Sequence, residues 1–269
     1  MGDVVLDHVS FSYPNGYEAV TDVSLTIKQG ERVAILGQNG AGKTTTVKLM
    51  NNLHKCTKGE VTVGGKSNKD FTTAQVSREV GYVFQNPDDQ LFHSTVYKEV
   101  EFGPKTALKL GAEISEKRVA RALELTDLAE EKETNPFELP LSIRKFVAIA
   151  AIIASDPEVY IFDEPTAGQD HVGLERLDNI IRTLQEEGKT IITITHDIEF
   201  AINTFDRIVV MANKHILKEG TAEEIFHDDE ILKEAMLKVP YAVQISRELG
   251  FGEKITTNQQ LIDALVKEL

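Results

Sequence analysis

A glycine-rich segment carries the clearest chemical signal in this sequence. Its glycines let successive backbone N–H groups point inward at the oxygens of a phosphate, and the lysine that follows adds a positive charge. A strand over 32–36 and a helix over 43–53 are predicted on either side, so the positive end of a helix dipole lies at the same place. The spacing predicts a phosphate-binding loop made of Gly37, Gln38, Asn39, Gly40, Ala41, Gly42, Lys43 and Thr44.

The last residues of this loop suit a nucleoside triphosphate bound with magnesium. Lys43 is placed to bridge the β- and γ-phosphates, and the Thr44 hydroxyl is placed to ligate Mg²⁺. Thr45 follows in the first turn of the helix and is taken as a further nucleotide contact. The alternative is a glycine-rich turn before an unrelated helix. The fixed positions of the pattern and its flanking elements favour the phosphate loop.

Two carboxylates stand at the end of an apolar strand. Residues 159–162 read Val-Tyr-Ile-Phe, which predicts a buried strand, and Asp163 and Glu164 follow directly. A rigid strand end can hold Asp163 near the magnesium, usually through water. Glu164 beside it can polarise an attacking water as general base. An acidic pair after a strand is common by itself, so this assignment depends on the phosphate loop occurring in the same chain.

Gln85 and His196 each follow a predicted strand, over 80–84 and 190–195. Taken singly, a polar residue after a strand is more often structural than catalytic. Here the phosphate loop, Gln85, the acidic pair and His196 all stand at carboxyl ends of strands, the edge where open parallel sheets bind ligands. Both residues are therefore candidate catalytic residues, and Gln85 is also a candidate magnesium ligand.

Alternating strands and helices predict the parallel α/β sheet that would position these residues. The first 36 residues alternate polar and apolar side chains and are rich in β-branched residues, which predicts further strands ahead of the loop. The predicted strands cover 4–6, 9–13, 23–27, 32–36, 60–63, 80–84, 159–162, 190–195 and 207–211, and the helices between them cover 43–53, 174–184 and 197–204.

The segment from about 86 to 157 interrupts this alternation with helical periodicity, which predicts a helical insertion. A mostly apolar helix is expected over 141–155. After residue 220, a capping box over 221–224 opens a helix, and the amphipathic tail predicts a small helical appendage to residue 269. A second helix of the insertion, over 114–125, is expected to place Ile114, Val119, Ala122 and Leu123 on or near one face.

Composition excludes several function classes. The chain has 269 residues and a net charge of −14, which argues against a general nucleic-acid binder, because such a protein needs a basic face. A single cysteine, Cys56, excludes an internal disulfide and a cysteine-based zinc site. The first residues lack the pattern of a signal peptide, and the longest apolar run, 146–154, is too short for a membrane span. A cytoplasmic protein with at most a peripheral membrane role is expected.

These motifs together resemble the ATPase subunit of an ABC transporter, over roughly residues 3–220. The resemblance implies an α/β P-loop NTPase of the ABC type, with a mixed sheet core, an antiparallel β subdomain and a helical subdomain at about 86–157. It also implies ATP and Mg²⁺ as ligands. In such ATPases the helical subdomain contacts a membrane subunit, which fits the position of the predicted insertion.

The resemblance extends to individual residues. Gln85 matches the glutamine of the family's Q-loop, and His196 matches its switch histidine. Asp170 matches the D-loop aspartate and is taken as a nucleotide contact. Tyr13 matches the aromatic residue that stacks on adenine, for which an ordinary strand aromatic is the alternative.

A narrower resemblance lies in residues 83–92, Val-Phe-Gln-Asn-Pro-Asp-Asp-Gln-Leu-Phe, and continues in 99–104. These stretches are very similar to the ATPases of energy-coupling factor (ECF) transporters, which drive uptake of vitamins and metal ions. Pro240, Leu249-Gly250 and the helical tail are similar to the C-terminal dimerisation segment of that group, which gives residues 221–269 this expected role.

The narrower resemblance implies partners at the cytoplasmic face of the cell membrane. They are a second ABC ATPase subunit, a multispanning transmembrane subunit and a substrate-binding membrane subunit, and no nucleic acid is expected among them. In ECF transporters, acidic groove residues near Asp88 and Asp89 receive arginine-bearing coupling helices. For this acidic pair a solvated turn is the alternative.

One departure from the family concerns its signature sequence, Leu-Ser-Gly-Gly-Gln, which should open helix 141–155. In a gapless alignment on residues 147–150, proline takes the serine position and other residues replace both glycines. A shifted alignment keeps a Leu-Ser pair but deletes the glycines. On either alignment the phosphate contact made across the dimer is impaired. The degenerate segment consists of Pro140, Leu141, Ser142, Ile143 and Arg144.

This defect bears on the partner ATPase. A homodimer would carry it in both nucleotide sites, whereas a heterodimer with an intact partner would confine it to one, so a heterodimer is expected. Arg144 has two interpretations: it supplies substitute positive charge to the impaired site, or it is a solvent-facing helix arginine.

ATP hydrolysis coupled to an ECF-type importer is the leading functional hypothesis, and three alternatives stand beside it. One is the ATPase of another ABC transporter, which residues 83–92 disfavour. Another is a non-transport ABC protein acting on DNA or ribosomes, which the negative charge and the single cassette disfavour. The third holds ATP without turnover, which the retained Glu164 and His196 argue against.

Overall fold

The computed structural model describes residues 2–251 and 254–268. Met1, residues 252–253 and Leu269 belong to the predicted domains 1–220 and 221–269 but lie outside the described residues. The strands are β1 (Val4–Ser12), β2 (Glu18–Ile27), β3 (Arg32–Leu36), β4 (Lys58–Val63), β5 (Lys66–Ser67), β6 (Val80–Val83), β7 (Val159–Asp163), β8 (Thr190–Ile194), β9 (Arg207–Ala212) and β10 (His215–Gly220). The α-helices are α1 (Lys43–Met50), α2 (Thr73–Val76), α3 (Val96–Glu101), α4 (Ala112–Leu125), α5 (Leu141–Ser155), α6 (His171–Glu186), α7 (Ile198–Thr204), α8 (Ala222–Phe226), α9 (Asp229–Glu234), α10 (Tyr241–Glu248) and α11 (Asn258–Glu268), and a π-helix spans Phe102–Ala107.

The larger sheet formed by the described residues has six strands in the order β10-β9-β3-β8-β7-β6. All neighbours in it are parallel except β10, which runs antiparallel to β9 at the edge. Its inner strands are buried on both faces, which explains their continuous apolar sequences. Because the carboxyl ends of parallel strands meet at one edge, the residues after β3, β6, β7 and β8 come together there. The predicted mixed α/β fold is confirmed, and β10 is a strand that was not expected.

The smaller antiparallel sheet, in the order β2-β1-β4-β5, packs against one face of the larger sheet. The strands expected over 4–6 and 9–13 are one strand, β1. His8 adopts a φ of 49° and the register with β2 shifts between Leu6 and Val9, so β1 bends without ending. Such bulges increase local twist, and here the bend lets one strand continue to the edge beside Tyr13.

The helices α3, α4 and α5 pack in one hydrophobic core with the face of the larger sheet that the smaller sheet leaves uncovered. In α4, Val119, Ala122 and Leu123 are buried as expected, but Ile114 is 53% exposed. Nine residues separate Ile114 from Leu123, which is two and a half helical turns, so the two side chains point in opposite directions. The assignment of Ile114 to the buried face was therefore wrong.

Beyond residue 220, the described part of the chain contains the helices α8 to α11. The expected capping box is confirmed: Glu224 N–H donates to Thr221 Oγ1 and Thr221 N–H donates to Glu224 Oε2. A separate small core of Ala242, Ile255, Leu261 and Ala264 joins α10 to α11. None of the helices in the described part of the chain combines the length and apolarity needed to cross a bilayer.

Candidate nucleotide-binding site

A cavity of about 220 Å³ opens at the carboxyl edge of the larger sheet. It gathers residues that follow β3, β6, β7 and β8, which are far apart in the sequence. Gln85, Glu164 and His196 are among them, beside the phosphate loop. The lining residues are Tyr13, Tyr17, Ala19, Asn39, Gly40, Ala41, Gly42, Lys43, Thr44, Thr45, Gln85, Glu164 and His196.

Two glycines of the phosphate loop occupy positions where no other residue fits. The φ angle is 149° at Gly37 and 99° at Gly42. A β-carbon at Gly37 would collide with the carbonyl oxygen of Met211, and one at Gly42 would lie 2.6 Å from that of Ala19. The loop can therefore follow this tight path only with glycine. Helix α1 begins directly after it, which places the positive end of the helix dipole at the cavity.

The ammonium group of Lys43 lies inside the curve of this loop. Its Nζ donates to the carbonyl oxygens of Gly37, at 2.6 Å, and Gln38, at 3.0 Å. Burial lowers the pKa of Lys43, while the carboxylates of Glu164 and Asp163 oppose that shift. A buried ammonium group among backbone N–H donors is a strong point of attraction for phosphate oxygens.

Asp163, the last residue of β7, is held by two hydroxyl groups. Thr44 Oγ1 donates to Asp163 Oδ1 at 3.4 Å, and the Tyr82 hydroxyl donates to Asp163 Oδ2 at 2.6 Å. Mg²⁺ usually takes one or two protein oxygens and completes its shell with water and phosphate. A threonine hydroxyl beside an oriented carboxylate fits that requirement.

Tyr82 was not identified from the sequence. Its side chain is 5% exposed, and burial together with the Asp163 carboxylate raises the pKa of its phenol, so it remains a hydrogen-bond donor at neutral pH. The parallel pairing of β6 with β7 sets Tyr82 opposite Ile161 and brings its hydroxyl to the strand end. A tyrosine near the end of a predicted buried strand that neighbours the acidic strand was the available signal.

Glu164 and His196 both line the cavity and contact each other. Glu164 Oε1 lies 3.0 Å from His196 Nε2, and the His196 backbone N–H donates to Glu164 Oε2 at 3.2 Å. Burial, reinforced by Lys43, lowers the pKa of His196. Burial raises the pKa of Glu164 to about 7, although the His196 N–H and Lys43 act in the other direction. A carboxylate that titrates near neutral pH can exchange protons with water at that pH.

Two tyrosines form the wall of the cavity away from the acids. The Tyr13 hydroxyl lies 3.3 Å from Thr45 Oγ1, and its ring lies 6.4 Å from that of Tyr17 at an interplanar angle of 26°. Lys214 Nζ lies 4.6 Å from the centre of the Tyr17 ring. Tyr17 was missed by the sequence analysis. Its place just after the Asn15-Gly16 turn, on the same hairpin as Tyr13, was the available signal.

Gln85 reaches the cavity from the turn that follows β6. That turn is fixed by Gln90, whose Oε1 accepts the Phe84 N–H at 3.2 Å and whose Nε2 donates to the Ala148 carbonyl at 3.1 Å. The position of Gln85 is therefore tied to α5, the helix that contains Ala148.

Asp170 and the degenerate segment lie outside this cavity. Asp170 Oδ1 accepts the Gly173 N–H at 2.8 Å and so caps α6, which accounts for its absence from the cavity wall. Its expected contact with nucleotide stays a prediction. Pro140 precedes α5, and among the described residues no side chain caps the start of that helix. Leu141 in its first turn is 50% exposed.

Of the two interpretations of Arg144, the structure contradicts the solvent-facing one, while a substitute charge for the partner's site stays a prediction. The Arg144 side chain is only 17% exposed, and its Nη1 lies 2.6 Å from Asp88 Oδ1. Its Nη2 donates to the Leu139 carbonyl, and its guanidinium lies 5.8 Å from the centre of the Phe137 ring. Arg144 is therefore not a solvent-facing arginine. Its charge is paired with the turn that follows Gln85.

Comparisons with known proteins agree on one family. The family model for ABC transporters matches residues 20–167. The energy-coupling factor transporter ATP-binding protein EcfA of Methanocaldococcus jannaschii is 42% identical over 247 residues, which cover 91% of this chain and 88% of that protein. EcfA2 of Methanospirillum hungatei, with the same descriptive name, is 38% identical over 91% of this chain and 62% of its own length.

A solved structure extends the similarity to three dimensions. The structure of cbiO1 from Clostridium perfringens, described as part of the ABC transporter complex cbiONQ, superposes with a TM-score of 0.77. It is 32% identical, and the match covers 92% of this chain and 98% of that one. The curated relatives differ in length, so that this chain spans between 42% and 94% of them.

Proposed function

This chain belongs to the ABC transporter family of ATP-binding proteins, and we propose that it powers an importer of the ECF type. Proteins of this family are ATPases that act as dimers together with membrane subunits. The resemblance of residues 83–92 to ECF ATPases supports the narrower assignment, as do the relatives named energy-coupling factor transporter ATP-binding proteins. The cargo would be a vitamin or metal ion bound by a separate membrane subunit.

One observation carries the proposal for hydrolysis: the Glu164 carboxylate lines the same cavity as Lys43 and contacts His196 at 3.0 Å. Glu164 takes a proton from water, and the water oxygen bonds to the γ-phosphorus while the bond from that phosphorus to the ADP oxygen breaks. Lys43 compensates the negative charge of the β- and γ-phosphates. His196 holds the carboxylate toward the attacked side.

The residues that would hold magnesium are Thr44, Asp163 and Gln85, all at or beside the cavity. A magnesium ion held by them would supply positive charge that offsets the negative charge developing on the phosphate oxygens. Tyr82 orients the Asp163 carboxylate through the 2.6 Å hydrogen bond. The loop residues from Gly37 to Thr45 would surround the phosphates, and Tyr13 and Tyr17 offer ring faces to the adenine.

A dimer of two different ATPases is the assembly that this chain suits best. ABC dimers place each nucleotide between one subunit's phosphate loop and the other subunit's signature segment. Here the segment from Pro140 to Arg144 has no glycine, and Arg144 is engaged with Asp88. A partner with an intact signature would complete the site at Lys43 and Glu164. The proposed contact of Asp170 would be made across the same interface, since Asp170 lies outside the cavity of its own chain.

The proposed membrane partner docks beside Gln85, at the cytoplasmic face of the membrane. A groove there is lined by Gln90, Phe92, Glu99 and Phe102 together with residues of α5. Phe92 is 62% exposed and its ring lies 5.1 Å from that of Phe102. Asp89, three positions before Phe92 in the sequence, is exposed, and exposed carboxylates and aromatic rings both suit an arginine-bearing coupling helix.

Co-expression with candidate partner genes tests this proposal. The complex would be purified in detergent, its subunits identified by mass spectrometry, and ATP-dependent uptake measured in liposomes. We expect a second ATPase, a multispanning subunit and a small vitamin- or metal-binding membrane subunit. Assembly instead with transmembrane subunits fed by an external binding protein would support the alternative, a conventional ABC importer, and would reject the ECF assignment.

A further inference from the structure

Besides Lys43, a second buried lysine lies close to Glu164. Lys145, in the second turn of α5, is 4% exposed. Its Nζ donates to the backbone carbonyl oxygens of Glu164, at 2.9 Å, and Ala167, at 2.7 Å. Both acceptors belong to the loop that links β7 to α6. The ammonium group thus bridges two points of the loop that carries the expected general base.

The backbone at Glu164 needs such support. Its φ of 51° lies in the left-handed region, which residues with a β-carbon rarely adopt. Its own N–H donates to the Ile194 carbonyl at 2.8 Å, which fixes one end of the residue. Lys145 fixes the other end through the Glu164 carbonyl. This backbone conformation sets the point from which the Glu164 side chain reaches His196 Nε2, 3.0 Å from its Oε1.

A second contact ties the same loop to the same helix. Gln169 Nε2 donates to the Ser142 carbonyl at 3.0 Å. The loop is thus held to the start of α5 at Glu164, Ala167 and Gln169. Three hydrogen bonds therefore connect the start of α5 to the backbone that follows β7.

The chemistry of Lys145 is unusual for a core residue. In the part of the chain that the structure describes, no carboxylate forms an ion pair with its Nζ, and burial lowers its pKa. A buried amine without a carboxylate partner is costly unless its hydrogen bonds are needed. Its donors are used on the two carbonyls, and an apolar side chain of similar length could provide the packing without them.

We propose that Lys145 is a positioning residue for Glu164, holding the 164–167 backbone so that the carboxylate meets the attacking water. The inference rests on the proposed role of Glu164 as general base. It assigns no contact between Lys145 and nucleotide, so it predicts a loss in turnover without a loss in ATP binding.

The test compares Lys145→Met, Lys145→Gln and Lys189→Met in the assembled transporter. Methionine keeps the length but removes the donors, while glutamine keeps two N–H donors on a shorter side chain. Lys189 is a matched control because it is only 11% exposed but pairs with two carboxylates, Asp156 and Glu158. It lies just before β8, at the edge of the sheet opposite the cavity. We expect Lys145→Met to lower kcat roughly tenfold to a hundredfold, because small misplacements of a catalytic group have effects of that order.

The dissociation constant for MgATP should change less than about twofold in Lys145→Met, and Lys145→Gln should recover part of the lost kcat. The Lys189→Met control should keep its kcat. In a Glu164→Gln background, adding Lys145→Met should leave the residual rate within about twofold, because the group that it positions is already gone.

The proposal is overturned if Lys145→Met keeps its kcat, if it weakens MgATP binding as much as it slows turnover, or if it slows turnover equally in the Glu164→Gln background. It is also overturned if neither Lys145 variant assembles while Lys189→Met does, since the role is then structural. A Glu164→Gln variant that retains full activity would instead reject the general-base assignment itself, which separates the two failures.

Discussion

The two surfaces of this chain that would face nucleotide in a dimer are built to different degrees. Around Lys43 and Glu164, forced glycines, buried charges and short hydrogen bonds fix each group before any ligand binds. At the start of α5, Pro140 and Leu141 are exposed and none of the described side chains caps the helix, while Arg144 is paired with Asp88. In the proposed dimer this chain would bring a complete catalytic half, while the segment offered to the partner's nucleotide lacks the glycines of the family signature.

The largest expected effect comes from removing the expected general base of this chain's own catalytic half. Glu164→Gln keeps the shape of the side chain but cannot accept a proton, so turnover should fall about 10² to 10⁴-fold with ATP binding preserved. The measurement is ATP turnover and uptake in the assembled complex. The matched control is the same substitution of the corresponding glutamate in the partner ATPase, which should matter less. Equal losses from both changes would remove the asymmetry between the two surfaces.

The next effect concerns nucleotide affinity. Lys43→Ala removes the cation inside the phosphate loop, and charge-assisted hydrogen bonds contribute about 1.5–3 kcal/mol each. The dissociation constant for ATP, measured by calorimetry, should rise roughly tenfold or more. Lys48→Ala, later on the same helix and outside the cavity lining, serves as the control and should bind as the unchanged protein does. Unchanged affinity in Lys43→Ala would mean that phosphate binds elsewhere.

A smaller effect, of opposite sign, would come from rebuilding the other surface. Pro140→Ser, Leu141→Gly and Ser142→Gly together restore a family-like signature in the gapless alignment. If the missing glycines cause the impairment, hydrolysis in a Glu164→Gln background should rise about twofold or more, because the partner's site gains its contact. The two glycines cost the helix about 1 kcal/mol each, so thermal stability should fall. A rise in turnover without glycine, in Pro140→Ser alone, would place the defect at the proline instead.

The smallest expected effect tests the internal use of Arg144. Asp88→Asn removes the charge of the more exposed partner of the ion pair, and pairs of this kind near the surface usually contribute about 0–1 kcal/mol to stability. The melting temperature should fall by no more than about 2–4 °C. Asp89→Asn is the control for charge alone. A larger drop in Asp88→Asn than this would mean that the pair organises the whole turn after Gln85.

The sequence was sufficient to predict those parts of the site whose residues are neighbours in the chain. The phosphate loop is one segment with a strand before it and a helix after it, and both elements begin where expected, at Arg32 and Lys43. The acidic pair was likewise recognisable from an apolar strand that stops at two carboxylates. These features depend on neighbours in the chain, which a sequence displays directly.

Contacts between segments that are far apart in the sequence could not be predicted, because they depend on how the elements pack. Tyr82 meets Asp163 only because β6 lies next to β7, and Lys145 meets the Glu164 carbonyl only because α5 packs beneath that loop. Nothing in the residues around Arg144 indicates that Asp88, which precedes it by more than fifty positions, will accept its charge. The bend of β1 at His8 was hidden too, since a bulge needs the register of the neighbouring strand to be known.

The strand order also sets when the site can exist during synthesis. Strand β3, which leads into the phosphate loop, lies between β8 and β9, so its hydrogen-bonding partners are made long after it leaves the ribosome. At about 5–20 residues per second, translation from residue 36 to residue 190 takes roughly 8 to 30 s. For that time the loop has no sheet to anchor it and the buried strand remains unpaired. A nascent chain that ends before β8 should be unable to retain nucleotide and should depend on chaperones, whereas one released after β9 should gain both the sheet and the binding site together.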